Sequence, residues 1–125
     1  MLSKIAVIFG VVFVAVGALG FVPAAVPDGK LLGLFEVNTM HNVVHLATGL
    51  VAIFVGMNGD GASRLFFRIF GVIYALVAVL GVVYGEQPIL GLVANNYADV
   101  GLHAAIAVVA LYLGFAVRPA TPATA

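Results

Sequence analysis

His41 and His45 stand four residues apart, and so do Asp99 and His103. On a helix this spacing puts both members of a pair on one face, about one turn from each other. Three imidazoles and a carboxylate suit a divalent transition metal such as Zn, Fe or Cu. His45 and His103, one from each pair, also suit the clamping of a haem iron from both sides. A third chemistry is a proton relay between histidine and Asp99, linked to redox or quinone reactions. The structural alternative is that these side chains only hydrogen-bond across helices and fix their packing. Glu36, Asn38, Asn42, Asn96 and Tyr97 lie close enough in sequence to orient the four. Gly49 and Ala107 continue the same two faces one turn deeper, where small residues let helices approach. The histidine pair lacks the intervening general-base glutamate of the zinc-protease helix. With no phosphate loop or nucleophile triad either, the motifs do not mark an enzyme.

The elements that carry these residues are apolar throughout. Of the 125 residues, 64% are hydrophobic and 8% charged, against roughly 45–50% and 25% in soluble domains. A soluble fold of this length could not hide so much apolar surface, so the bilayer is the solvent. A net charge of zero leaves no electrostatic footprint for nucleic acid. The absence of cysteine excludes disulfides and thiolate sites. Four apolar runs are expected as helices over about 4–22, 38–57, 63–85 and 96–117, each near the roughly 20 residues that cross the hydrocarbon core. The first, with Lys4 before it and Val22-Pro23-Ala24 after it, also resembles a signal peptide, and is read as a retained helix. Ser63 is expected to cap the third helix. Residues 118–125 are expected to be a disordered tail of the single domain. The fold class is therefore an all-α integral membrane four-helix bundle.

Two features organise the bundle. Leu31-Leu32-Gly33-Leu34 through His45 aligns without a gap on Ile89-Leu90-Gly91-Leu92 through His103, at a constant offset of 58 residues. This is the pattern of two related helical hairpins about a pseudo-two-fold axis along the membrane normal. Lys4, Arg64, Arg68 and Arg118 all fall on one side after an even number of crossings. The positive-inside rule makes that side cytoplasmic, with both termini, in a bacterial inner membrane. The histidines then lie within about two turns of the outer surface.

The run Asn38-Thr39-Met40-His41-Asn42-Val43-Val44-His45-Leu46-Ala47-Thr48-Gly49, with Asn96-Tyr97-Ala98-Asp99-Val100-Gly101-Leu102-His103, resembles the signature of a family of small bacterial membrane proteins, the domain of unknown function 4383. The resemblance spans nearly the whole chain and picks out Asn38, His41, His45, Gly49, Asp99 and His103. The four-helix plan is also similar to DoxX-like membrane proteins, some of them linked to quinone and sulfur redox; that analogy is at the level of the fold and carries no chemistry. Two functions are left open. One is an accessory or structural subunit that joins a larger membrane complex or a homo-oligomer through glycine-containing faces. The other is a metal- or haem-binding protein, redox- or proton-linked.

Overall fold

The structure is a computed structural model that describes residues 1–118; the rest of the expected tail lies outside the described residues. Helix α1 spans Leu2–Leu19, α2 Thr39–Met57, α3 Asp60–Tyr84 and α4 Tyr97–Leu111. A π-type turn, Tyr112–Ala116, continues α4. With that turn included, four helices among the described residues are long and apolar enough to cross a membrane. The bundle is all-α apart from one short hairpin, β1 (Lys30–Leu31) with β2 (Phe35–Glu36), and one isolated bridge.

Two helix ends differ from the sequence expectation. Helix α1 stops at Leu19 because the N–H groups of Phe21 and Val22 turn back to the carbonyls of Ala18 and Leu19, at 3.1 and 3.0 Å, ahead of Pro23. Helix α3 begins at Asp60 and not at Ser63. The Asp60 carboxylate accepts the Ser3 backbone N–H at 2.8 Å and the N-terminal ammonium at 3.2 Å, tying the starts of α1 and α3 together. Ser63 is buried in the first turn and donates its hydroxyl to the Gly59 carbonyl at 2.8 Å, so it satisfies an acceptor and does not cap the helix.

Helix α1 packs most closely on α2, and α3 on α4. Lipid gives no hydrophobic drive to bring helices together, so close van der Waals approach must do it, and small residues allow that approach. A Cβ on Gly10 would lie 2.5 Å from the Gly49 carbonyl oxygen, and one on Gly49 would lie 2.7 Å from that of Gly10. Each glycine thus lies against the other helix's backbone. Gly17 meets Asn42 and His45, and Gly56 meets Ser3 and Val7. In the second pair Gly71 meets Leu111, and Gly81 meets Val100 and Asn95. Between the pairs the join is aromatic: Phe9 of α1 meets Phe70 of α3 edge-on at 5.1 Å, and Phe13 meets it at 5.7 Å.

The two halves bury many of the same positions, although Asn42, Phe70, Gly81 and Leu113 are buried in one half only. On α2 the buried residues include His41, His45, Gly49, Ala52 and Gly56; on α4 and its terminal turn, 58 positions later, they are Asp99, His103, Ala107, Ala110 and Gly114. Helices α1 and α3 correspond at a different offset, 61: Leu2, Ala6, Gly10, Phe13 and Gly17 against Ser63, Phe67, Gly71, Tyr74 and Ala78. The loops match as well. Leu31 pairs with Phe35, and Ile89 with Val93. Leu32 and Leu90 both have φ of 54°, and Gly33 and Gly91 have φ of 73° and 71°. Positive φ at both central positions is the habit of type I′ turns, which favour Asn and Gly, and a leucine there is strained. Both leucines are exposed at the turn tips, where a bilayer interface would receive an apolar side chain.

Gly49→Ala should destabilise the bundle by about 1–3 kcal/mol, because backbone must move to admit the methyl group. Gly101→Ala, which lies inside α4 and meets nothing within 4 Å, should be neutral or stabilising by up to about 1 kcal/mol through helix propensity. Thermal or denaturant unfolding of both variants in one detergent checks the contrast.

Candidate functional site

The site begins with two asparagine caps. The Asn38 side-chain oxygen accepts the His41 backbone N–H at 2.9 Å, and the Asn96 oxygen accepts that of Asp99 at 2.9 Å. Each cap satisfies one of the free donors of a new helix. The amide groups of the same side chains then cross between the halves. Asn38 donates to the Leu92 carbonyl at 3.0 Å, and Asn96 to the Leu34 carbonyl at 2.9 Å. Each helix start is therefore fixed against the other half's turn, which sets α2 and α4 at one depth and aims their first turns inward.

His41, His45 and His103 meet in the interior. Their exposures are 4%, 7% and 3%, and one ring nitrogen from each lies within 4.8 Å of the other two. The His41 ring centroid is 5.2 Å from that of His45 and 5.7 Å from that of His103. The His41 Nδ1 is 3.0 Å from the Glu36 backbone oxygen. A carbonyl only accepts, so this nitrogen carries a proton, and in the neutral ring Nε2 then holds the lone pair. His45 and His103 each have a buried Nδ1 with no hydrogen-bond partner. A buried polar atom without a partner is costly. Two cavities flank the trio. One, about 220 Å³, lies beside His41, His45 and Asp99 under the first turn. The other, about 200 Å³, adjoins all three histidines and Tyr74 under the second.

Asp99 is at the same helical position as His41 but does different work. Its carboxylate accepts the Asn96 backbone N–H at 3.0 Å, closing a reciprocal capping box with the Asn96 side chain. It is buried, at 1% exposure, and lines the first cavity without joining the close trio. Of the expected supporting residues, Glu36 contributes its backbone carbonyl. Asn42 packs its side chain on Gly20, and Tyr97 is exposed with its hydroxyl over Gly85, away from the histidines. Gly49 is spent on the approach of α1, and Ala107 is buried in the core.

Three neighbours are not evident from the motifs. Phe13 of α1 stacks on His45 at 4.8 Å and 15°, and Tyr74 of α3 meets His103 edge-on at 5.4 Å. Asn95 is fully buried and holds the end of α3, donating to the Gly81 and Gly85 carbonyls at 3.1 and 2.6 Å. Phe13 and Tyr74 lie on helices that carry no motif, which is why spacing along α2 and α4 alone does not find them. Asn95 does have a sequence signal, since it adjoins the Asn96 cap.

Fold and site together define a small membrane protein of four helices with a buried three-histidine cluster near one end of the bundle. Residues 4–116 match a family model described as "Domain of unknown function (DUF4383)", and the chain belongs to that family. No curated protein matches it, and neither does any solved structure.

In metal-free protein, ¹⁵N NMR of labelled imidazoles should show His41 protonated at Nδ1. Glu36→Ala should leave this tautomer in place, because the acceptor is backbone; a switch to Nε2–H in either protein would contradict the assignment.

Proposed function

We propose that this protein holds a divalent transition metal ion through His41, His45 and His103, at a site reached from the outer side of the membrane. The observation that carries the reading is the convergence of three buried imidazole nitrogens within 4.8 Å. Two nitrogens each about 2.0–2.1 Å from a tetrahedral zinc are about 3.3 Å apart, so the ligands close on an ion by side-chain rotation of an ångström or so. The His41 hydrogen bond to a backbone carbonyl is the usual way of presenting Nε2 to a metal. Binding would also give buried, unpartnered imidazoles a reason to exist. Asp99 places a carboxyl group beside the first cavity.

An ion fits better than haem. The His41 ring stands close to both other rings, and each flanking cavity is smaller than the roughly 300–1,000 Å³ of ordinary cofactor pockets. The accessory-subunit reading relied on glycine faces open to a partner. Gly10, Gly17, Gly49, Gly56, Gly71 and Gly81 all meet other parts of this chain, which leaves Gly61 and Gly101 as the helix glycines that face open space.

The orientation and the repeat belong to the same proposal. The N-terminus adjoins Asp60, while Arg64 and Arg68 adjoin Gly114, so the basic residues cluster at the end away from the histidines. By the positive-inside rule that end is cytoplasmic, in a bacterial inner membrane. We read the two halves as copies of one helical hairpin, on the strength of the paired buried positions and matched turns.

Elemental analysis of detergent-purified protein, with visible spectra after cobalt(II) loading, should show about one metal per chain. His45→Ala/His103→Ala should lose it, and acidification should release it, because only neutral imidazole ligates. A folded wild-type protein that takes up no metal, or a double variant that retains it, would sink the proposal. Asp99→Ala should keep the metal yet lose about 1 kcal/mol of stability through the cap.

A further inference from the structure

At the other end of the bundle, two arginines converge on one atom. The Nε–H groups of Arg64 and Arg68, one turn apart on α3, both donate to the Gly114 carbonyl oxygen, at 3.0 and 2.7 Å. Gly114 sits in the π-type turn that ends α4. A Cβ there would come 2.7 Å from the Arg68 backbone nitrogen, so only glycine lets that carbonyl reach the pair. The Arg68 guanidinium also lies over the Phe115 ring, 4.9 Å from its centroid. Both forks are held in place while most of their N–H donors stay unused.

Two like charges directed at one oxygen repel, yet among the described residues no carboxylate pairs with either; the one ion pair found joins the N-terminus to Asp60. The sequence after Arg118 adds no acidic side chain. Helix packing does not demand the arrangement either. In the first half, Gly56 occupies the place of Gly114 and meets Val7, not an arginine. The pair lies within the first three turns of a spanning helix, beside the exposed apolar side chains of Leu65, Tyr112 and Phe115. That is where phosphates meet acyl chains.

We propose that Arg64 and Arg68, held on the Gly114 carbonyl, bind the phosphate of an anionic lipid headgroup. Guanidinium forks match phosphate geometry and polarity, and the neighbouring apolar side chains receive the acyl chains. The site stands apart from the histidine cluster and does not depend on metal there.

The test is native mass spectrometry of the purified full chain titrated with phosphatidylglycerol, and in parallel with phosphatidylcholine and inorganic phosphate. One saturable phosphatidylglycerol is expected, bound at least tenfold more tightly than phosphatidylcholine. Arg64→Gln and Arg68→Gln should each weaken it about tenfold, and an Arg64→Lys/Arg68→Lys pair should weaken it too, since charge is kept but the fork is lost. Competition by millimolar inorganic phosphate would assign the same clamp to a free anion and overturn the lipid assignment. Absence of saturable binding to the wild-type protein would overturn the proposal, whatever the variants do. So would undiminished binding by folded glutamine or lysine variants.

Discussion

A helix that begins at the edge of a bilayer has backbone N–H groups that water no longer satisfies, and each one left bare is expensive. Here that requirement is met twice by an asparagine, and in each case the same side chain also bonds the opposite half's turn. The rest of the site follows from this double use. It fixes where α2 and α4 start, and so puts the His41 and Asp99 positions one turn inside. It ties the two turns together above the cavities. It leaves the deeper faces to small residues, so that the helices close around the imidazoles.

The helices and the histidine cluster were largely legible in the sequence because both depend on local rules. Apolar runs of spanning length need no tertiary context, and a spacing of four places His41 and His45 together wherever the helix goes. The offset of 58 between α2 and α4 can be read from the sequence because Asn38 and Asn96, and His45 and His103, share residue types. The offset of 61 between α1 and α3 was not. Gly10 and Gly71 coincide, but Ala6 faces Phe67 in the comparison and Leu2 faces Ser63. At those positions the two helices share burial and not side-chain volume, so residue types alone do not show the match.

Asp99 shows that aligned positions need not make the same contacts. It occupies the place of His41, which invites the same chemistry. A carboxylate is shorter than an imidazole, and two residues inside its helix it reaches back to the Asn96 N–H more readily than across the bundle. The Asn-x-x-Asp spacing at Asn96 and Asp99 also matches a capping box, and that contact is present in the structure. Ser63 repeats the lesson in reverse: a residue type that favours caps was placed inside the first turn, because Asp60 was needed to receive the N-terminus and Ser3.

The distribution of the three imidazoles along the chain sets an order of events during synthesis. His41 and His45 enter the membrane with the first hairpin, while His103 and the carbonyl that receives the Asn38 amide arrive only with the last. Until then the first pair of helices exposes an unfinished polar edge to lipid. A chain that ended before Ile89 would lack both His103 and the Leu92 carbonyl, and would leave the first histidines and the Asn38 amide without the groups that cover them.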